Sequence, residues 1–353
     1  MTALSVPARP EEDASLRPVP WQRMGWVTWR QHRATLAWVA VFLGVLAVLL
    51  YLAGRQLYSA HAAALAACQP ASSPTCPGAI IAFNGTNGFL ANGFMLQAIP
   101  PLIGAFIGAP LLARELETGT FRYTWTQGFG RWRWTLAKLV PLAVVLATAA
   151  GVFSLLLNWY YQPYFVDSNP NLTLTEYTPF FPGLFDLRGI GFAAWTLAAF
   201  AIGALAGMLI RRVVPAIAAT LVAYTGLAFA AGTWLRPAYA TPVVTSSLNV
   251  PGSAWVMSQW WTKGGKFAFS GWPPVHLLNQ YCPAGPPVPV GPGGKTKAVG
   301  IAECLTPHGY TQWTSYQPAS RFWPFQWIEG GWLLVLSATA IAATVWLVRR
   351  RAT

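Results

Sequence analysis

Charged side chains crowd one short stretch, Gly108 to Leu139, which reads GAPLLARELETGTFRYTWTQGFGRWRWTLAKL. It carries Arg114, Glu115, Glu117, Arg122, Arg131 and Arg133, with Lys138 one turn into the apolar run that follows. Nowhere else do charges sit so densely between two hydrophobic runs of membrane-spanning length. Gly119 is expected to end the helix that carries Glu115 and Glu117, because glycine tolerates a left-handed cap. Thr120 can cap a new short helix, on which Phe121 and Trp125 share one face. A short capped helix with an aromatic face, held at a membrane surface, is suited to contact a partner.

The other candidate groups offer weaker chemistry. GPGGKT at Gly291 to Thr296 resembles the end of a phosphate-binding loop, but Pro289 stands where the motif requires its first glycine. His276 and His308 lack a nucleophile elbow or metal-ligand spacing and read as surface histidines. The four cysteines fall in two separate segments, which predicts Cys68–Cys76 and Cys282–Cys304 disulfides in an oxidising compartment. Each bridge would constrain the unfolded loop by on the order of 3 kcal/mol. Free thiols are the alternative, and no CxxC or histidine spacing supports zinc.

The elements that must position these groups are membrane spans. The chain of 353 residues is 54% hydrophobic and 9% charged, too little charge for a soluble surface of this size. The net charge of +13 is scattered at the ends of apolar runs, with no basic helix face, so nucleic acid is not an expected partner. Residues 1–20 are polar and proline-rich, unlike a signal peptide, and read as a disordered tail. Trp21 to Arg33 mixes Trp with Arg and Gln, which suits either an interfacial helix or the flank of the first span. Six spans are predicted at about 34–54, 93–113, 136–158, 189–210, 213–235 and 330–348, each near the ~20 residues a bilayer requires. Pro100, Pro101 and Pro110 place the second span inside a bundle, where neighbours satisfy its freed backbone groups. Gly104 with Gly108, and Gly203 with Gly207, are candidate helix-packing sites, with a subunit contact possible for the first pair. No span has a carboxylate near its middle, which weighs against a proton-coupled carrier.

Lys and Arg set the orientation. With the N-terminus inside, 15 of the 23 basic residues lie in inner segments, including Arg211–Arg212 and Arg349 to Arg351 at the flanks of spans. The expected architecture is therefore an all-α polytopic membrane protein with both termini cytoplasmic. Its parts are a tail and interfacial helix (1–33), five spans with a cytoplasmic turn at 114–133 (34–235), an extracellular segment (236–328), and a sixth span with a basic C-terminus (329–353). All four cysteines then fall outside.

The turn resembles that of ABC-type exporter permeases of the type-2 membrane-domain superfamily, which includes the ABCG-like exporters. Members often carry E-x-E-x-G-T after the second span, matched here by Glu115, Glu117, Gly119 and Thr120, followed by Arg131 and Lys138. Trp125-Thr126-Gln127 stands where many members have a proline. The chain is most similar to a branch of GC-rich Gram-positive bacteria, through W-x-T-W-R-Q-H-R at Trp26 to Arg33, A-R-E-L-E-x-G-T at Ala113 to Thr120, W-T-Q at Trp125 to Gln127, and Q-P-A-S-R-F-W-P-F-Q at Gln317 to Gln326. The resemblance implies a permease in a bacterial plasma membrane, paired with a second permease copy and with cytoplasmic ABC ATPase subunits. It further implies that the turn docks on the ATPase and that the second and fifth spans line the path. The chain itself has no ATPase motif, so ATP and Mg belong to the partner, and neither a catalytic set nor a cofactor or metal site is expected here. Two other classes compete: a membrane enzyme acting on a lipid-linked substrate through outer residues such as Asp167, Glu176 or Asp186, and a sensor or assembly protein that transports nothing.

Overall fold

A computed structural model describes residues 20–69, 73–86, 93, 95–119, 131–165, 178–247, 250–282 and 297–351. The chain is mostly helical. Six of its helices are long and apolar enough to cross a membrane, and each overlaps one of the predicted spans.

The first helix, α1 (Trp21–Ala67), runs 47 residues without a proline. At ~1.5 Å per residue it is about 70 Å long, well beyond a bilayer's hydrocarbon core. Trp21 to Arg33 is not set off from the first span; no residue with broken helical geometry separates them. A shorter helix, α2 (Cys76–Gly85), folds back along the end of α1. Cys68 and Cys76 are bonded across this turn, with Cα atoms 4.6 Å apart.

The second span is α3 (Leu96–Thr118). Pro100 and Pro101 sit in its first α-turns, where missing N–H groups cost least. Gly104–Gly108 forms a π-helical turn just ahead of Pro110. Of its apolar stretch 67% is buried, against 6% for α1. Then follow α4 (Arg131–Tyr161), α5 (Gly191–Ile210) and α6 (Val213–Ala238). The hub is α5, which packs on α3, α4, α6 and the last helix. Its small residues, Ala198, Ala199, Ala201 and Ala204, are fully buried and let those neighbours come close.

The all-α expectation fails between the fifth and sixth spans. Four strands, β1 (Val243–Thr245), β2 (Trp255–Lys263), β3 (Lys266–Ser270) and β4 (Tyr310–Gln317), form an antiparallel sheet in the order β1-β4-β2-β3. Their sequences are rich in aromatic and β-branched residues, which favour strands. Gly264 and Gly265, at φ 56° and 79°, make the two-residue hairpin loop between β2 and β3, where Lys263 pairs with Lys266. Two helices, α7 (Val275–Tyr281) and α8 (Lys297–Leu305), lie between β3 and β4 in sequence. They pack with the sheet around Trp261, Ile301 and Leu305. Cys282 is bonded to Cys304, with Cα atoms 5.7 Å apart. The last helix, α9 (Phe322–Arg351), begins several residues before the predicted sixth span.

Candidate functional site

Glu115 and Glu117 occupy the last turns of α3, which ends at Gly119 with φ 71°. Residues two apart on a helix point to different sides, and the two carboxylates accordingly reach different neighbours. Glu115 Oε1 accepts a charge-assisted hydrogen bond from Lys138 Nζ of α4. Lys138 is buried, and its ammonium lies 4.1 Å from the centre of the Trp134 ring. Glu117 Oε2 accepts the Val213 N–H at 3.0 Å. Val213 opens α6, so the carboxylate satisfies a free N–H and faces the positive end of the helix dipole. Just before it, Arg211 adopts a left-handed φ of 60° at the end of α5, leaving only Arg211 and Arg212 between α5 and α6. Two side chains thus fasten the end of α3 to α4 and to the α5–α6 turn. Of the other residues expected in this turn, Thr120, Phe121 and Trp125 lie outside the described residues, as does the Arg131 side chain.

Midway along α3 the four glycines of the two GxxxG pairs face one another across α3 and α5. A Cβ on Gly203 would stand 2.2 Å from Gly104 O, and one on Gly104 would stand 2.4 Å from Ala199 O. At Gly108 and Gly207 the corresponding backbone oxygens, of Phe200 and Ala109, are 2.6 and 2.3 Å away. The two backbones touch directly, and no other residue type fits these positions.

At the opposite end of the bundle lies a second cluster. Arg236, at the end of α6, is 1% exposed. Its Nη2 donates to Glu329 Oε1 at 2.7 Å and to Asp186 Oδ1, and its Nε donates to Glu329 Oε2 at 3.1 Å. The guanidinium carbon lies 4.0 Å from the centre of the Phe185 ring. Trp195 Nε1 and the Tyr239 hydroxyl also donate to Glu329, at 3.0 and 3.2 Å. Glu329 is fully buried, and its four contacts satisfy both oxygens. Two carboxylates share one cation, so burial and the adjacent Glu329 outweigh the pull of Arg236 and push the Asp186 carboxyl up to about 7. Gln97, in the first turn of α3, reaches into the same region, donating to Pro182 O at 2.7 Å and to Asp186 Oδ2 at 3.4 Å.

The stretch Gln317 to Gln326 builds the collar around this cluster. Gln326 accepts the Gly191 N–H at 2.9 Å and donates to Phe185 O at 2.8 Å, pinning the start of α5. Phe322 and Phe325 pack with Phe180 and Phe185. Gln317 donates to Ala240 O at 2.7 Å, and Arg321 to Thr241 O at 2.6 Å. Nearby, Arg188 donates twice to Asn158 Oδ1 at 2.9 and 3.0 Å, and burial lowers its pKa to about 10. Sequence reasoning missed the pairing. Arg236 opens the outer segment expected at 236–328 and Glu329 opens the part that follows it, 93 residues away in sequence, and nothing local ties the two together. The available signal was Glu329 itself, a lone carboxylate opening an apolar run.

Neither cluster has the makings of a catalytic centre. Asp186 is committed to Arg236, while Asp167 and Glu176 lie outside the described residues. His308 stacks on Tyr281 with ring centres 4.2 Å apart. Among the described residues no three His, Cys, Asp or Glu side chains group to hold a metal. Residues 291–296, with the GPGGKT segment, also lie outside them.

No curated protein and no solved structure matches the chain. A family model described as ABC-2 membrane transporter related matches residues 39–236, from within the first span to Arg236. That stretch holds the tethered end of α3, the glycine contact and the α5–α6 turn. It covers more than half the chain, and its partners are apolar helices of spanning length. The chain is a multi-pass membrane protein and belongs to the ABC-2 membrane transporter related family.

Proposed function

We propose that this chain is the membrane-spanning permease subunit of an ATP-driven exporter in a bacterial plasma membrane. A separate cytoplasmic ABC ATPase binds ATP and Mg, and two permease copies share the path. Residues 114–133 form the cytoplasmic docking turn, both termini are cytoplasmic, and the sheet-bearing segment 236–328 is extracellular. One observation carries this reading: the end of α3 that leads into the turn is fastened to two other spans, by Glu115 to Lys138 and by Glu117 to Val213. A push delivered to the turn would move the second, third and fifth spans together, which is what a coupling element must do. Family membership supplies the ATPase as the expected partner.

Co-purification of the chain with its ATPase, followed by substrate-stimulated ATP hydrolysis, tests the proposal. Glu117→Gln keeps an oxygen acceptor for the Val213 N–H but removes the charge, so it separates helix capping from docking. Trp125→Ala is expected to leave the protein membrane-inserted, weaken ATPase capture and abolish transport-linked hydrolysis. Full capture and full stimulated turnover in that variant would overturn the assignment of the turn.

A further inference from the structure

A groove runs between α1 and α3, and its two halves differ in chemistry. The first half is an apolar chamber of 370 Å³, within the ~300–1,000 Å³ of small-molecule sites. Its walls include Trp38, Phe42 and Leu43 of α1 and Leu102, Phe106 and Ile107 of α3. The second half is a polar chamber of 500 Å³ toward the Glu115 end, where Gln31, His32, Arg114, Glu115 and Thr118 contribute. Thr35, Phe106 and Ile107 line both chambers, so the two are continuous. The groove exists because α1 leans on α4 and α2 and leaves the α3 side open.

Charge decides what fits. Glu115 is neutralised by Lys138, which approaches from α4. Arg114 is exposed and makes no ion pair among the described residues. The polar chamber therefore presents a cation with no ion-pair partner among the described residues, with His32 and Gln31 as further hydrogen-bonding groups. An apolar slot opening onto a cationic pocket matches an amphiphile with an acyl chain and an anionic head. Basic pockets between membrane helices hold such heads elsewhere.

We propose that the α1–α3 groove binds an anionic phospholipid, with one acyl chain along Trp38 and Phe106 and its phosphate at Arg114. The site depends on the chain being embedded in a membrane and not on the ATPase reading.

The test uses the full-length chain, delipidated in neutral detergent, titrated with phosphatidylglycerol or phosphatidylcholine and read by native mass spectrometry and lipid-dependent thermal stabilisation. Phosphatidylglycerol is expected to bind about fivefold tighter, the worth of one Arg at an anionic surface. Arg114→Gln should remove that preference while leaving the lipid-free melting temperature unchanged. Leu102→Trp, which fills the apolar chamber, should weaken both lipids. Glycerol phosphate, which has the head without the chain, should not compete. Equal binding of the two lipids, an unaltered preference in Arg114→Gln, or full competition by glycerol phosphate would each overturn the proposal. So would efficient cross-linking between copies from cysteines placed at Phe42 and Phe106, because a second chain would then fill the groove.

Discussion

Replacing Arg236 with Met tests the strongest energetic claim. The guanidinium is 1% exposed and is the only cation bonded to Glu329 and Asp186 among the described residues. Met keeps most of the side-chain volume, so packing against Phe185 changes little. What is lost is three charge-assisted hydrogen bonds, leaving a fully buried carboxylate with only Trp195 and Tyr239 as donors. Breaking a buried pair by removing one partner costs about 3–5 kcal/mol. At the ~2–4 °C per kcal/mol of large domains, that is a melting temperature lower by roughly 10 °C. The signal is intrinsic Trp fluorescence during heating of detergent-solubilised protein, since the chain has 19 Trp. The companion variant adds Glu329→Gln and Asp186→Asn, which neutralises the cluster. It should recover most of the loss, because a neutral buried site carries no stranded charge. A single variant melting within about 2 °C of the parent, or a triple variant no better than the single, refutes the reasoning.

Other expectations follow from neighbouring observations. The folded Asp186 pKa of about 7 exceeds the ordinary value of 3.8, so the fold favours the protonated carboxyl. Its contribution to stability is fully present below the unfolded value and is lost as pH rises through about 7; Asp186→Asn should flatten melting temperature over that window, and a parallel slope in both proteins would count against it. Gly203→Ala should cost on the order of 1–3 kcal/mol by forcing α3 and α5 apart, whereas Gly44→Ala, with nothing within 4 Å of the added Cβ, should be neutral or slightly stabilising in the same melt. Non-reducing peptide mapping should recover Cys68–Cys76 and Cys282–Cys304 peptides; alkylation of all four thiols without reductant would exclude them. Cysteines placed at Thr118 and Thr353 should resist membrane-impermeant reagents in intact cells while one at Lys295 reacts, and external labelling of position 353 would overturn the proposed orientation.

The helical part of the fold was legible because spanning helices are specified by local composition alone. Gly191 to Ile210 needs no knowledge of its neighbours to be read as a span. The sheet was not legible at the same level. Its strands pair residues such as Trp255 and Gln317, far apart in sequence, and they lie without clear alternation in a Pro-, Gly- and Trp-rich stretch that imitates a loop. The site divides in the same way. Glu115, Glu117 and Gly119 stood out because they cluster in sequence. Arg236, Asp186 and Glu329 come from three distant segments and mean nothing until the fold brings them together. Glu117 illustrates a subtler limit: sequence marked it as a residue of consequence, but its partner is a backbone N–H, and every residue other than proline has one.

The close approach of α3 and α5 has a mechanical consequence. Twenty residues of α5 make a rod of about 30 Å. One end is clasped at Gly191 by Gln326; the other ends in the turn that Glu117 grips. With its middle riveted to α3 through bare backbone, the rod has no soft side-chain layer in which to lose displacement. Movement imposed at the Glu117 end would arrive at the Gly191 end as rotation of a stiff lever, and the compliance of the molecule must reside outside the α3–α5 contact.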